Sequence, residues 1–230
     1  FRDDAASGAT EKRMYKATSS GWVQQTFGRV IAFDAGTSAF AEGETLTGGT
    51  SGATGTIKRM GRYGTGTFSS NDAKGTLTLS GVSGTFQDDE TITSASGSAT
   101  ADGVDAAIAL SPGGWVRTYN HNFYGAADRR RMYFVDGVSK AHEWDGDTLA
   151  PITTGMATDT PSHIAEHRNH LFLGYEGGSL QHSEPGDPLA WQVLTGAAEI
   201  GLGDNITGLL SNVSGALAVF GRNQVAVLQG

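Results

Sequence analysis

The chain has 230 residues, 34 of them glycine, 5 proline and none cysteine, and 16 Lys and Arg stand against 24 Asp and Glu for a formal charge of −8. Glycine is at about twice its usual share, yet proline plus glycine stays below the roughly 25–30% of low-complexity disorder, and the absence of a three-residue glycine period excludes collagen. Zero cysteines exclude a disulfide scaffold and any Cys-ligated zinc or iron–sulfur site, and the acidic balance, shared by both halves of the chain, argues against a dedicated duplex-binding surface. No apolar run reaches the roughly 18–20 residues of a membrane helix. The opening Phe1-Arg2-Asp3-Asp4 lacks both an initiating methionine and a signal-peptide layout. The chain ends on a strand-like run, so a fragment or processed product of a longer polypeptide is expected.

In chain order, short β-branched and aromatic runs punctuated by Gly, Asn, Asp and Ser dominate, and no apolar stripe of helical period persists for three turns. Met14-Tyr15-Lys16 followed by Gly21-Trp22-Val23 reads as strand, turn, strand. Residues 29–108 then contain one β unit twice. Phe40-Ala41-Glu42-Gly43-Glu44-Thr45-Leu46-Thr47 recurs 46 residues on as Phe86-Gln87-Asp88-Asp89-Glu90-Thr91-Ile92-Thr93. The same offset carries Ala53-Thr54 onto Ala99-Thr100 and Val30-Ile31-Ala32-Phe33 onto Thr76-Leu77-Thr78-Leu79. Phe40 and Phe86 read as core anchors, the following acids as turn residues, and Leu46 and Ile92 as inward-facing. Gly64-Thr65-Gly66 reads as a hairpin.

Three further strand–turn–strand units follow: Met132–Val135 with Glu143–Gly146, His170–Leu173 with Ser179–His182, and Ala216–Phe220 with Gln224–Leu228. Tyr133 to Leu171 is 38 residues and Leu171 to Leu217 is 46, spacings that suit propeller blades of about 40–50 residues. The expected fold is all-β: a partial β-propeller with an inserted small double-repeat β domain. Residues 1–28 supply the first propeller strands, 29–108 the inserted domain and 109–230 further blades.

Several motifs point to chemistry and are better read as structure. His163-Ile164-Ala165-Glu166-His167 spells an inverted zinc-protease motif, but that chemistry needs both histidines one helical turn apart. Pro161 before the run and Arg168-Asn169 after it suggest a strand, where the imidazoles would lie roughly 13 Å apart. All six histidines fall between residues 121 and 182, which leaves a pH-sensitive or metal-bridged subunit interface as a further expectation. The acidic pairs Glu42 with Glu44, Asp88-Asp89-Glu90, Asp145 with Asp147, and Glu184 with Asp187 sit in Gly- or Pro-bearing turns, where such acids serve the backbone; a glycosidase needs two carboxyls across a sugar cleft. Trp22, Trp115, Trp144 and Trp191 read as packing residues rather than sugar platforms. No catalytic residue, cofactor or metal ligand is expected. Basic residues cluster at Lys58, Arg59 and Arg62, and at Arg117 with Arg129, Arg130 and Arg131; the arginine triplet is a candidate intersubunit contact.

Asn169–Gly174, Ser183–Trp191 and Ile206–Leu209 through Leu217–Gln224 resemble the propeller blades of tailed-bacteriophage tail proteins, especially the nozzle (tubular tail) proteins of short-tailed phages. The Gly-Glu-Thr-Leu-Thr-Gly-Gly-Thr-Ser-Gly-Ala-Thr wording at 43–54 resembles a small β module of phage virion proteins. The resemblance implies a non-enzymatic virion protein, a tail nozzle or hub subunit assembled in the host cytoplasm. Its partners would be copies of itself in a ring, neighbouring tail adaptor and fibre proteins, and DNA that passes through without specific binding, with no membrane insertion. An acidic surface suits a conduit along which phosphates must slide. The alternative is a glycan-binding or glycan-hydrolysing tail protein on the same scaffold.

Overall fold

The computed structural model describes residues 1–3, 10–126 and 129–229. These residues are all-β, with strands interrupted by two single-turn 3-10 segments, Phe68–Ser70 and Val193–Thr195. Strands β1 (Arg2–Asp3) and β2 (Lys12–Arg13) pair with each other, as do β3 (Tyr15–Thr18) and β4 (Gly21–Gln24). Among the described residues the β3–β4 hairpin joins no larger sheet, so this part of the expected propeller is a separate two-stranded ribbon there.

The repeat region forms a closed ring of strands. Its members are β5 (Arg29–Ser38), β6 (Thr45–Gly48), β7 (Thr54–Gly64), β8 (Ala73–Ser83), β9 (Thr91–Thr93) and β10 (Ser98–Ala101), and a short β11 (Ala106–Ala107) adds to the end of β5. Every pairing around the ring is antiparallel, and it closes because β10 pairs with both β9 and β5. Ile31, Phe33, Phe40, Leu46, Ile57, Leu77, Leu79, Phe86, Ile92 and Ala99 fill the interior. On β5, β6, β9 and β10 they alternate with exposed or half-exposed neighbours, the period-2 pattern of a small filled barrel, while on β8 the flanking Thr76 and Thr78 are buried as well.

The two repeat copies are interlocked rather than stacked. Ile31 sits directly opposite its own repeat equivalent Leu77, and Thr47 opposite Thr93. Copy one's β7 pairs with copy two's β8, and copy two's β10 with copy one's β5. Gly43 and Asp89 occupy equivalent left-handed positions, φ 89° and 60°, where glycine has no steric penalty and Asp is among the few tolerated alternatives. The register corrects one expectation. Thr45 faces Thr56 while Thr91 faces Thr100, so Ala99 is the counterpart of Gly55 rather than Ala53. The first copy's hairpin is two residues longer.

The rest of the chain builds three antiparallel sheets. The first holds β12 (Arg117–His121), β13 (Arg131–Val135), β14 (His142–Trp144) and β15 (Leu149–Pro151). The second holds β16 (His163–His167), β17 (His170–Gly174), β18 (Ser179–His182) and β20 (Ala198–Gly201), with β19 (Ala190–Gln192) looping out before β20. The third holds, among the described residues, β21 (Ile206–Val213), β22 (Ala216–Gly221) and β23 (Val225–Leu228). They lie in a row whose first strands are neighbours, β12 beside β16 and β16 beside β21.

Alternation explains the stacking. Tyr133 and Val135 point from the first sheet towards Ile164, Leu171 and Leu173 of the second. From the second sheet's opposite face, Ala165, Phe172 and Leu180 meet Ile206, Leu217 and Val219 of the third. The first sheet's remaining face, with Phe134, Trp144 and Leu149, is covered by Met14, Ile108 and Leu110, and Phe1 packs on Phe134 with ring centroids 4.8 Å apart.

Candidate functional site

Strand β7 carries the contact between barrel and sheet row. It passes Arg59 and Arg62 out of the barrel wall, and beyond Arg62 it pairs in parallel with β19, Arg62 opposite Ala190 and Tyr63 opposite Trp191. A strand from the second sheet's connection thus becomes part of the barrel's surface.

Arg59 is buried and donates from Nε to Glu143 Oε1 at 2.8 Å and from Nη2 to Asp145 Oδ2 at 2.5 Å; Glu42 lies 3.4 Å from Nη1. Glu143 is almost fully enclosed on β14 and also accepts from Tyr124 Oη at 2.8 Å and Tyr133 Oη at 3.0 Å, with Arg131 Nε 3.8 Å away. Burial pulls the Arg59 guanidinium down, but the hydrogen bond and charge of Glu143 outweigh it and the group is held firmly protonated. Burial, then the Glu143 charge, pushes both tyrosine hydroxyls far above their ordinary range. Arg62 spans to Glu184 and Asp187 at 3.4 and 3.5 Å, and burial raises the Asp187 carboxyl despite the Leu189 N–H and Arg62. A second buried pair, Lys12 with Asp136, ties β2 to the end of β13.

This geometry assigns most of the acids singled out from sequence. Asp145 Oδ1 accepts from Asp147 N and Thr148 N, the turn role expected, while its other oxygen receives Arg59. Glu90 accepts from Thr50 N, Ser51 N, Ser51 Oγ and Gln87 N. Glu44, its repeat equivalent, accepts from Ser94 Oγ, Ser96 N and Ser96 Oγ. Each glutamate therefore ties down the hairpin of the other copy, which explains why both copies carry it. The acidic pairs are spent on turns, hairpins and arginines.

The inverted zinc-protease motif is strand β16, and the type I′-like turn after it holds Arg168 and Asn169 at φ 51° and 62°. Glu166 accepts from the Asn169 backbone. His170 and His182 stand edge to face at 4.8 Å, and both Nδ1 atoms lie within hydrogen-bond reach of Ser183 O. Among the described residues no group of three or more His, Asp or Glu is placed to hold a metal ion. His142 is buried against Phe134 with rings 5.1 Å apart, and burial lowers its pKa to about 4.

One expectation needs correction, that all four tryptophans pack. Trp144 and Trp191 are packed, but Trp22 and Trp115 are each 75% exposed, because Trp22 lies on the isolated hairpin and Trp115 precedes the first strand of the row. The arginine triplet divides: Arg129 lies over the Tyr124 ring at 5.7 Å and Arg130 is exposed, while Arg131 enters β13 and turns towards Glu143. Sequence reasoning missed the seam acid Glu143. The one signal was an acid between two ring side chains, His142-Glu143-Trp144, all buried in the fold.

No family model matches the chain, and no curated protein matches it. No helix among the described residues is long and apolar enough to cross a membrane.

Proposed function

We propose that the protein is a non-enzymatic virion structural protein, a phage tail nozzle or hub subunit whose copies form a ring that gates and conducts DNA during ejection. The observation that carries this reading is the row of antiparallel sheets stacked through their first strands, the packing mode of propeller blades. It stands beside the likeness of residues 169–224 to nozzle propellers. Support also comes from where the charged groups go: Arg59, Arg62 and Lys12 are committed to Glu143, Asp145, Glu184, Asp187 and Asp136 inside the chain. Such ties make a stiff scaffold, and the acids still in excess among the remaining charged residues repel phosphate. The barrel, joined to the row chiefly along β7, would project from it as a decoration or a seat for fibres. Labelling this chain in purified particles tests the reading: density in a ring on the tail axis is expected, and label confined to lateral fibres would overturn it.

The exposed Trp22 and Trp115 favour a second reading, a tail protein that binds or cleaves host glycan. Binding on a polysaccharide panel that is lost in Trp22→Ala or Trp115→Ala would establish it in place of the first.

A further inference from the structure

Alternation sorts the second sheet's side chains by chemistry as well as by size. Ile164, Leu171 and Leu173 turn to the first sheet, and no histidine shares their face. The other face, which meets the third sheet, carries Ala165, Phe172 and Leu180 together with four of the chain's six histidines: His163 and His167 on β16, His170 on β17 and His182 on β18. His167, His170 and His182 gather on Phe172, with ring centroids 6.2, 6.3 and 5.2 Å from it. His163 stands at the far end, opposite Gly174, where a Cβ would come within 3.0 Å of Ile206 Cγ2.

This face has nowhere to put a positive charge. His163 and His167 are each 8% exposed, and their Nε2 atoms are buried with no hydrogen-bond partner among the described residues. A charged ring carries N–H on both nitrogens, so protonation leaves a charged donor there without an acceptor. The wall opposite is Ile206, Leu217 and Val219, with Leu209, Ala226 and Leu228 beside them. Residues 206–228 hold no acid, and their one charge is Arg222, in the turn between β22 and β23. Arg117 near His163 and Arg168 near His167 oppose a proton, as does His170 beside His167 and His182. The Thr207 backbone favours one on His163 and Glu166 one on His167, but Glu166 lies on the opposite face and accepts from Asn169 N. The other acids at the rim are committed: Glu199 to Ser179 Oγ, Glu184 to Arg62 and Thr195 Oγ1, and Asp204 to Asn223 N. Burial, ahead of these charges, holds His163, His167 and His182 below their ordinary 6.5.

We propose that this contact is a proton-operated latch: in acid, charge on the histidine face parts the third sheet from the second about the connection at residues 202–205 and uncovers Phe172, Leu217 and Val219. Parted, the rings titrate near 6.5 in water, so below that pH the open form binds protons that the closed form refuses. The latch is full above 6.5 and weakens as pH falls beneath it. It joins two sheets of one chain, so it goes beyond the ring reading and does not rest on it.

Because the chain lacks cysteine, a single thiol can report the opening. Val219→Cys, at a position 1% exposed inside the contact, is treated with a pyridyl disulfide, and its rate is divided by that of a small free thiol at the same pH. Between about pH 7.5 and about pH 5 this ratio should rise about tenfold or more. The ratio for Val135→Cys, buried between the first and second sheets, should change far less. Combining His163→Gln, His167→Gln and His182→Gln should flatten the rise at position 219, and where the triple variant does not fold, each single replacement should still reduce it. No rise at position 219, an equal rise at position 135, or a rise that the histidine replacements leave undiminished would overturn the inference.

Discussion

In the barrel every ring strand has two neighbours, because β10 returns to β5, whereas each sheet of the row is an open sheet among the described residues and buries its faces by packing on neighbouring elements. The barrel carries its repeat to closure: two copies exchange strands and glutamates, and nothing is left over. The row carries its repeat by addition, each described sheet burying a face against the one before it. Closure makes a unit indifferent to its neighbours; addition makes one that needs them.

The largest way to break this contrast is at the seam. Arg59→Met leaves Glu143 enclosed among tyrosines without its main partner, and removal of one partner of a buried pair costs about 3–5 kcal/mol. Chemical denaturation should show that loss, and the transition should split into two if the seam couples barrel to row. Within the barrel, Phe86→Ala should cost about 3–5 kcal/mol, with hydrogen exchange accelerated in residues 29–107 and little changed in the sheet row.

Acid should separate the two regions. Burial lowers His142 to about 4 from 6.5, so below pH 6.5 the unfolded chain takes up a proton that the native sheet refuses. Stability is full above that pH and falls, by up to about 3 kcal/mol, as pH drops towards 4. Residues 29–107 hold no histidine. Its buried Glu90 is pushed up by burial but held below the ordinary 4.5 by the Ser51, Gln87 and Thr50 donors, and Glu44 is held below it chiefly by Ser94. Their contribution is present above 4.5 and disappears only at lower pH. Emission from Trp144 and Trp191 should therefore shift before barrel amides lose protection, and His142→Leu should reduce the row's response, leaving the smaller part carried by His163, His167 and His182, which burial also lowers.

Smaller effects sharpen the repeat. Glu90→Ala strips four donors of their acceptor and should cost about 1–3 kcal/mol, read as faster amide exchange at Thr50 and Ser51 of the other copy. Arg168→Gly relieves a left-handed arginine and should raise the melting midpoint slightly, by about 1 kcal/mol or less.

Much was legible because it is written locally. Period-2 alternation, Gly and Asn punctuation, and the doubled Phe40 and Phe86 wording mark the strands, the repeat and its anchors, and the Arg168-Asn169 turn is readable from the strand on either side. The strand β12, Arg117-Thr118-Tyr119-Asn120-His121, was not legible, since it is polar and half exposed and owes its conformation to pairing with β13. Nor was Glu143, whose acid in a buried strand makes sense only once Arg59, eighty-four residues earlier, is seen beside it.

The sequence by itself determined an all-β chain, a two-copy unit in its first half and acids kept for turns, because side-chain period and turn chemistry act between residues close in the chain. Only the tertiary structure decided that the copies exchange strands, that the hairpins differ by two residues, that β19 runs parallel to β7, and that the three sheets stack through their first strands. Those outcomes depend on which distant backbone finds which edge, and hydrogen-bonding groups on a strand edge are the same whatever the sequence that bears them.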